Sequence, residues 1–528
     1  MSHEWSRTLP CFQAPSRLTV YSLEGMSNDT QLSVASLVGL LNRDCPQIYL
    51  LVRPDDLFWL QSCFPDLPYD HSPLRGKAVL LELLRRARAQ LTGLVIYDPF
   101  LPDSINIATM LAGQKDALLL SPALAARYQR ELEGLPVLFD LRKFGWRSRV
   151  SAYLWAWEHL RAEAHGTLVA GLPPSIITFL RPYLIATRTF TYWLNPFRVL
   201  PDRTGYSEFR LMREILQTYR RKGLHLGWFV NEGFGVILSS RAELPVLPSD
   251  YFSNLEFWSS QPVAAFPAPL QAASAPLDPQ KIYVSFTMSD GDNIQFLQGK
   301  MAQLWRDEAR GQLPLGWTLS PLLGEAAPAM AAWYLRTASS QDELLAGPSG
   351  AGYIFPSFWP EERLPAFLNQ TTAMMEALHL RTVQVLDANI FQHLPLAVRA
   401  VRTGAGLALI HAGRQQQYAE ALAAHGMRGV LSGGGQRRPS WRLLEGLPIC
   451  QNIGMAKDET HALALIQDAV AGNRQRPLFL NLYVQAWTMT PTDLKRLVER
   501  LERLDSTFAF VTPGTLLSLY RCSLETSR

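Results

Sequence analysis

Two aspartates stand where an apolar segment ends, in the stretch YVSFTMSDGDNIQF at residues 283–296. Asp290 and Asp292 are two residues apart, with a glycine between them and Asn293 directly after. Paired carboxyl groups can move a proton to and from a bound molecule, one as acid and the other as base or nucleophile. Aspartate, glycine and asparagine also favour tight turns, because their backbones adopt turn geometry readily. The stretch alone is therefore compatible with an active-site edge and with a structural turn.

The aspartates follow the first of several apolar runs in the second half of the chain. Runs of strand length, mostly separated by helical segments, occur at residues 281–288, 314–320, 351–356, 382–387, 406–411, 428–431, 447–453, 478–485 and 508–511. Strand–helix units repeated over roughly 250 residues are typical of a closed barrel. The sequence thus predicts an α/β protein whose C-terminal domain is a (β/α) barrel of seven to eight units.

In such a barrel, the residues that follow each strand line one shared mouth. The carboxylates predicted to act there are Asp290, Asp292, Glu325 and Asp387, and the predicted binding residues are Asn293, Trp317, Tyr353, Phe355, Trp359, His411, Asn452, Gln485 and Trp487. Aromatic rings stack on the apolar face of a sugar ring, and carboxylates and amides bind its hydroxyl groups. Two carboxyl groups that flank a glycosidic bond can hydrolyse it. This mixture of residues therefore predicts a carbohydrate substrate.

Several of these residues also have a structural interpretation. Asp387 could cap a helix, and the adjacent Glu361 and Glu362 fit a solvated helix start. Trp317 and Trp359 are of a type more often found in a core than on a binding surface. Only their coincidence at one predicted rim favours the functional interpretation.

The composition limits the classes of function. The 528 residues carry a net charge of +4, 18 % charged and 48 % hydrophobic residues, which indicates sizeable cores and does not indicate a nucleic-acid partner. No run of about 18 apolar residues predicts a membrane span. The five cysteines form no CxxC pair, which favours free thiols in a reducing compartment. We therefore expect a cytoplasmic protein without cofactor or metal, and the sequence leaves its oligomeric state open.

The first half of the chain predicts a second module. Short apolar runs such as RLTVYSL, PQIYLLV and TGLVIYDPF alternate with amphipathic segments, which indicates a mainly parallel sheet covered by helices. Five prolines in residues 259–280 mark a linker. The predicted organisation is a tail at 1–16, an α/β module at 17–258, the linker at 259–280, the barrel at 281–520 and a tail at 521–528.

The segment GAGYIFP, from Gly350 to Pro356, resembles the G-x-G-Y-x-Y-P signature of the GxGYxYP family, with Phe355 in place of a tyrosine. The segments FTMSDGDNIQFL, LPLGWTLSPLL, YDPFLPDSINIATMLAG and VLPSDYFSNLEFWS are also similar to that family, so the resemblance covers roughly residues 17–520. It implies glycoside hydrolysis by a barrel-like module that follows an α/β module, and it carries over no catalytic residue. If the missing hydroxyl at Phe355 binds substrate, activity or specificity changes; if that ring only packs, the change is nearly neutral.

Two alternatives stay open. The first is a carbohydrate-binding or scaffold protein on a barrel without catalysis. The second is similar to metal-dependent polysaccharide deacetylases, whose first barrel strand also ends in an aspartate-rich motif and whose metal needs histidines. The histidines after Asp292 are His379, His393, His411, His425 and His461, and no two of them have the close spacing of that family.

Overall fold

The computed structural model describes residues 8–221, 223–270, 276–387, 412–433 and 439–526. The chain divides into two compact units. The N-terminal unit comprises Arg7–Val263 and Glu325–Met330, and the C-terminal unit includes Ala264–Gly324 and Ala331–Arg528. No helix in the described part of the chain is both long and apolar enough to cross a membrane.

The described residues of the N-terminal unit form ten short strands in three separate sheets. The strands are β1 (Leu18–Ser22), β2 (Ile48–Leu51), β3 (Tyr69–His71), β4 (Gly93–Ile96), β5 (Ala117–Leu120), β6 (Val137–Asp140), β7 (Leu168–Gly171), β8 (Phe190–Tyr192), β9 (Leu224–Gly227) and β10 (Val246–Leu247). Their orders are β2-β1-β3, β5-β4-β6 and β10-β9-β7-β8, and every ladder is parallel. The predicted parallel α/β architecture is confirmed, with three small sheets rather than a single one.

Helices cover these sheets. They are Asn28–Leu41, Asp56–Cys63, Lys77–Ala87, Ser104–Lys115, Pro122–Arg127, Arg149–Leu160, Arg181–Ala186, Glu208–Thr218, Glu232–Arg241 and Leu255–Ser259, with 3₁₀ turns at Leu141–Phe144 and Arg161–Glu163. The apolar run FGVILSS lies in the helix Glu232–Arg241. Asn231 caps that helix by accepting a hydrogen bond from the backbone N–H of Phe234. A short apolar run fits a helix or a strand equally well, and this cap favours the helix.

The core of the N-terminal unit holds a carboxyl group whose proton affinity depends on burial. Glu256 is fully buried, and its Oε1 accepts a 3.1 Å hydrogen bond from Asn42 Nδ2. Burial raises the pKa of Glu256 to about 7, because the charged form loses its hydration. The folded state therefore keeps this proton at pH values where the unfolded chain has released it.

This shift predicts a pH-dependent stability. As pH rises from about 4.5 to about 7, the free energy of unfolding should fall by an amount on the order of 3 kcal/mol and then level off. Glu256→Gln stays neutral at every pH, so we expect it to exceed the wild type in stability at about pH 8 and to match it near pH 4. Urea unfolding at both pH values measures this. Exposed Glu131→Gln is the matched control, and equal stability of wild type and Glu256→Gln at the higher pH would contradict the shift.

The C-terminal unit is built on one curled sheet. Its strands are β11 (Ile282–Met288), β12 (Leu315–Leu319), β13 (Asp342–Ala346), β14 (Thr382–Val385), β15 (Gly429–Ser432), β16 (Ser440–Leu444), β17 (Leu447–Gln451), β18 (Met455–Ala456), β19 (Leu478–Val484) and β20 (Phe508–Phe510). The order is β16-β17-β15-β14-β13-β12-β11-β19-β18, and β20 pairs with β11. Among the described strands of this unit, all ladders are parallel except β16–β17.

A single segment links the two sides of this sheet. β17 pairs with β15, whereas β18, four residues further on, pairs with β19. Between them, Asn452 donates its backbone N–H to Ser432 O and Ile453 donates its own to Asn481 O. Residues 447–456 thus hydrogen-bond to β15 at one end and to β19 at the other. The sheet curls into a half-barrel, so the predicted barrel-like α/β domain is confirmed, although the strand order of the described residues is open and not a closed ring.

The described helices that lie wholly in this unit are Ile294–Phe296, Ala302–Trp305, Leu364–Ala377, Ala412–Ala424, Glu459–Ala471, Pro491–Leu504 and Pro513–Thr526, with a π-helical turn at Leu297–Met301 and 3₁₀ turns at Pro356–Phe358 and Glu361–Arg363. The helices Leu323–Ala326 and Pro328–Thr337 contain residues of the segment 325–330, which belongs to the N-terminal unit. The third predicted strand, 351–356, is wrong: the strand is β13, and GAGYIFP lies in the segment after it. Gly350 and Gly352 have φ of 137° and 102°, which a regular strand does not allow. The predicted strand 406–411 lies outside the described residues.

Candidate functional site

A layer of buried polar side chains crosses the interior of the barrel. Asn481 on β19 accepts hydrogen bonds from Ser285 Oγ at 2.6 Å and Thr287 Oγ1 at 3.0 Å, both on β11. Its amide donates to Asn452 Oδ1 at 2.7 Å, and Asn452 donates to Gln384 Oε1 at 3.1 Å. All five side chains are fully buried. Because each of these five side chains has a hydrogen-bond partner within the layer, the layer fixes the relative position of β11, β14, β19 and the 447–456 segment.

Apolar packing closes the barrel on the other side of this layer. Tyr283 and Phe479 lie two residues before Ser285 and Asn481 on their strands, so each pair shares a face. They pack against Leu516 and Leu519 of the helix Pro513–Thr526. The polar layer is therefore on the side of the carboxyl ends of the strands, where a barrel places its active site.

The DGDN loop begins directly above the polar layer. Ser289 lies two residues after Thr287, and its Oγ accepts the backbone N–H of Ala486 at 3.1 Å. The Ser289 hydroxyl donates to Asp290 Oδ2, and the indole of Trp487 also bonds to this carboxylate. Asp290 has φ of 69°, a left-handed conformation that is uncommon for a residue with a side chain and recurs at functional sites. Asp290 and Asp292 therefore lie in a turn after the end of β11 and not on the strand itself.

Burial acts on the acidity of this carboxyl group. It raises the pKa of Asp290, while the hydrogen bonds from Ser289 and Trp487 oppose that rise. Asp290 therefore binds a proton more tightly than an exposed aspartate does. A carboxyl group in this state can serve as a general acid.

The glycine between the two aspartates has a packing reason. Gly291 donates its N–H to Thr318 Oγ1 at 2.9 Å, and a Cβ at this position would lie 1.9 Å from Thr318 O. Only glycine lets the loop approach β12 this closely. Asp292, the next residue, is buried. Asn293 Oδ1 caps the following helix by accepting a hydrogen bond from the backbone N–H of Phe296 at 3.2 Å. The contacts of Asn293 thus support a structural role.

The signature segment GAGYIFP builds another part of the mouth. Ala351 donates its N–H to Thr371 Oγ1 at 2.9 Å, and a Cβ on Gly350 would lie 2.5 Å from that same oxygen. Tyr353 and Phe355 contact each other edge to face with ring centroids 5.4 Å apart, and both are buried. The first signature glycine therefore permits a close backbone approach, and the two rings pack together.

Asp387 lies where β14 ends, against the residue that follows the signature. The backbone N–H of Ser357 is 3.2 Å and 3.3 Å from the two carboxylate oxygens, and the Ser357 hydroxyl donates to Oδ2. The side chain of Asp387 is 1 % exposed. Burial is the main reason that the pKa of Tyr418 lies well above its ordinary value, and the charge of the neighbouring Asp387 raises that pKa further. Both carboxylate oxygens of Asp387 thus have a hydrogen-bond donor in Ser357.

Trp317 and Glu325 occupy structural positions. Trp317 is fully buried, donates its indole N–H to Asp342 Oδ1 at 2.8 Å and packs on Trp305. Glu325 belongs to the N-terminal unit, and its Oε2 accepts the backbone N–H groups of Thr8 and Leu9 at 2.8 Å and 3.1 Å. The structure thus does not group Glu325 with the carboxylates of the barrel unit.

The remaining predicted binding residues divide into core and surface positions. Trp359 is buried against Phe367, and Asn452 belongs to the polar layer. Trp487 is 47 % exposed and contacts Phe296 with ring centroids 5.3 Å apart. Gln485 precedes Trp487 at the end of β19 and is partly exposed. His411 lies outside the described residues.

Residues that the sequence analysis did not select complete the site. Ser289 and Ser357 hold Asp290 and Asp387, and Asn481 centres the polar layer. Asn481 had a signal in the sequence, because it is the one polar residue of the apolar run LFLNLYV. Among the described residues, no three His, Cys, Asp or Glu side chains group together as a metal site would require.

Models of one protein family match most of the chain. The model described as "GxGYxYP putative glycoside hydrolase C-terminal domain" matches residues 280–521. Models of the first, second and third domains of the same family match residues 17–65, 91–163 and 166–260. No curated protein matches the chain significantly.

Two solved structures are similar to differing degrees. A crystal structure described as a "putative hydrolase from Bacteroides thetaiotaomicron VPI-5482" has a TM-score of 0.79 at 20 % identity and covers 98 % of this chain and 96 % of its own. A "putative polysaccharide deacetylase from Mycobacterium smegmatis" has a TM-score of 0.30 at 11 % identity, covering 49 % of this chain and 96 % of its own, which is too weak to support an argument. The first likeness shows a shared fold. The four domain matches, which together span most of the sequence, establish that this chain belongs to the GxGYxYP family.

Proposed function

We propose that this protein hydrolyses a glycosidic bond at the barrel mouth, with Asp290 as the general acid and Asp387 as the second, ionised carboxylate. The observation that carries the proposal is the contrast between the surroundings of these two groups at the ends of β11 and β14. Two carboxyl groups held in opposite protonation states are what glycoside hydrolysis requires. Membership of a family described as glycoside hydrolases supports the same reaction.

Asp290 is arranged to deliver a proton. Ser289 Oγ accepts the Ala486 N–H, which leaves the Ser289 hydroxyl proton to point at Asp290 Oδ2. Oδ2 is therefore occupied by a donor, and the acidic proton belongs on the other oxygen. In the reaction that proton passes to the glycosidic oxygen as the bond to the leaving group breaks. Burial raises the pKa of Asp290, which keeps the proton available at higher pH.

Asp387 is arranged to stay negative. The amide and the hydroxyl of Ser357 both donate to it, so its charge is stabilised by hydrogen bonds. An ionised carboxylate can activate a water molecule or attack the anomeric carbon directly. The family signature thus contributes by placing Ser357 against Asp387.

Trp487 connects sugar binding to the acid. Its ring is about half exposed, and its indole bonds to Asp290. A sugar ring stacked on the exposed face would bring its glycosidic oxygen close to the carboxyl group that must protonate it. Tyr353 and Phe355 support the signature segment from within, where the missing hydroxyl of Phe355 has no direct part in the chemistry.

The test is hydrolysis of nitrophenyl glycosides and neutral oligosaccharides by the full chain and by two matched variants. Asp387→Asn removes the charge of the second carboxylate, so kcat is expected to fall by about a thousandfold or more. Asp468→Asn makes the same change at an exposed helix position and should keep wild-type turnover. Equal turnover of Asp387→Asn and wild type would contradict the role of Asp387.

Two further outcomes separate the alternatives. Stoichiometric sugar binding without turnover by the wild type would favour a carbohydrate-binding protein. Release of acetate from acetylated sugars, abolished by a chelator, would favour a metal-dependent deacetylase.

A further inference from the structure

The N-terminal unit contains a cleft of its own, here called the N-terminal cleft. It has a volume of about 630 Å³, within the usual range for small-molecule sites. It is lined by Ser148, Arg149 and Val150 at the start of the helix Arg149–Leu160, by residues 197–200 and Asp202, and by Glu208 at the start of the helix Glu208–Thr218. None of these residues takes part in the proposed barrel chemistry.

The charges that line the N-terminal cleft are balanced. Arg149 and Arg198 face Glu208 and Asp202. Burial would raise the pKa of Asp202, but hydrogen bonds from Ser148 and Thr204 lower it overall, so this carboxylate is ionised at neutral pH. An anionic ligand would meet two carboxylates, and a cationic one would meet two guanidinium groups. The lining therefore favours a neutral ligand.

The charged groups retain capacity for further hydrogen bonds. The nitrogens of Arg149 and Arg198 lie 3.6 Å and 3.4 Å from the carboxylate oxygens of Glu208. Charge-assisted hydrogen bonds are usually about 2.7–2.9 Å long, so neither arginine makes a full-strength hydrogen bond to Glu208. Glu208 Oε2 is held instead by the backbone N–H of Asn195 at 2.7 Å. Donors and acceptors this close together suit hydroxyl groups, which donate and accept at once.

An apolar wall stands beside these polar groups. Phe197 is 47 % exposed, and its ring is supported edge-on by Phe234 with centroids 4.7 Å apart. Val199 and Leu200 follow it and are also exposed, Leu200 at 83 %. A ring fixed from one side and open on the other is a platform for the apolar face of a sugar.

We infer that the N-terminal cleft is a saccharide-binding site that takes a neutral sugar, with Phe197 as the stacking platform and Arg149, Arg198 and Glu208 as the hydroxyl partners. The site belongs to the N-terminal unit alone and goes beyond the proposed hydrolysis in the barrel. It gives the protein a second place to hold a glycan chain.

The experiment compares full-length wild type, Phe197→Ala, Arg198→Ala and Phe100→Ala. Phe100 is 96 % exposed in the same unit, so Phe100→Ala is the matched control for loss of an exposed ring. Binding is screened on an array of neutral and acidic glycans, and the strongest neutral binder is then titrated by calorimetry. Turnover of a nitrophenyl glycoside is measured in parallel, as a readout of the barrel only.

We expect a neutral glycan to bind the wild type and Phe100→Ala equally. Phe197→Ala and Arg198→Ala should each weaken binding roughly tenfold and leave nitrophenyl glycoside turnover unchanged. The inference fails if no neutral glycan binds, if only acidic glycans bind, or if both variants bind like Phe100→Ala. Turnover without binding at the cleft would overturn this inference alone, and binding at the cleft without any turnover would overturn the proposed function alone.

Discussion

Replacement of Asp290 by asparagine should slow hydrolysis of an oligosaccharide by about 10³- to 10⁴-fold, the upper part of the range that a general acid contributes. The physical reason is that a sugar alkoxide is a poor leaving group and needs the proton that Asp290 carries. The dinitrophenolate of a dinitrophenyl glycoside leaves without needing a proton. Turnover of this substrate by Asp290→Asn should therefore stay within roughly tenfold of the wild type. Steady-state kcat values with both substrates measure the difference.

Controls for this experiment follow from the structure. Asn at position 290 can still accept the Ser289 hydroxyl and the Trp487 indole, so the loop should keep its conformation. Asp468→Asn should lose activity on neither substrate. Equal losses on both substrates would show that Asp290 does not act as the acid.

The largest expected effect on stability comes from the polar layer. Asn481→Leu conserves approximate volume but removes the partner of Ser285, Thr287 and Asn452. Each buried group left without a partner costs about 1–3 kcal/mol, so we expect a loss on the order of 4 kcal/mol or more. Urea unfolding followed by tryptophan fluorescence measures it.

Asn369→Leu is the matched control for this substitution. Asn369 is exposed on the helix Leu364–Ala377, and the change to leucine there should alter stability by no more than about 0.5 kcal/mol. An Asn481→Leu protein as stable as Asn369→Leu would mean that the layer does not hold the barrel together.

Much of the barrel could be predicted because its strands are buried on both faces. β11 and β19 are seven-residue apolar runs with every residue buried, which is the pattern that a parallel sheet imposes. β13 escaped prediction because its sequence, DELLA, begins with two acidic residues. There Asp342 accepts from Trp317 and Arg310, and Glu343 accepts from Gly514 N–H. Such tertiary contacts are not visible in a single run of sequence.

The candidate site could also be predicted only in part from the sequence. Asp290 and Asp387 follow the ends of β11 and β14, as their position after recognisable apolar runs predicts, and their catalytic roles stay a proposal. The platform role predicted for Trp317 does not agree with its burial against Asp342 and Trp305. Glu325 was grouped with the mouth because it follows β12 in sequence, although residues 325–330 belong to the other unit. Sequence proximity to a strand end therefore indicated candidates, and the three-dimensional contacts show which of them are packed in the core.

The pH dependence of kcat/KM tests the central claim, that Asp290 supplies the proton, most directly. Because burial raises the pKa of Asp290, wild-type activity should fall on the alkaline side, with a midpoint above the ordinary value for an aspartate. In Asp290→Asn this alkaline fall should disappear, and the residual activity should stay level as the pH rises. The same alkaline fall in both proteins would contradict the assignment, because another group would then carry the proton.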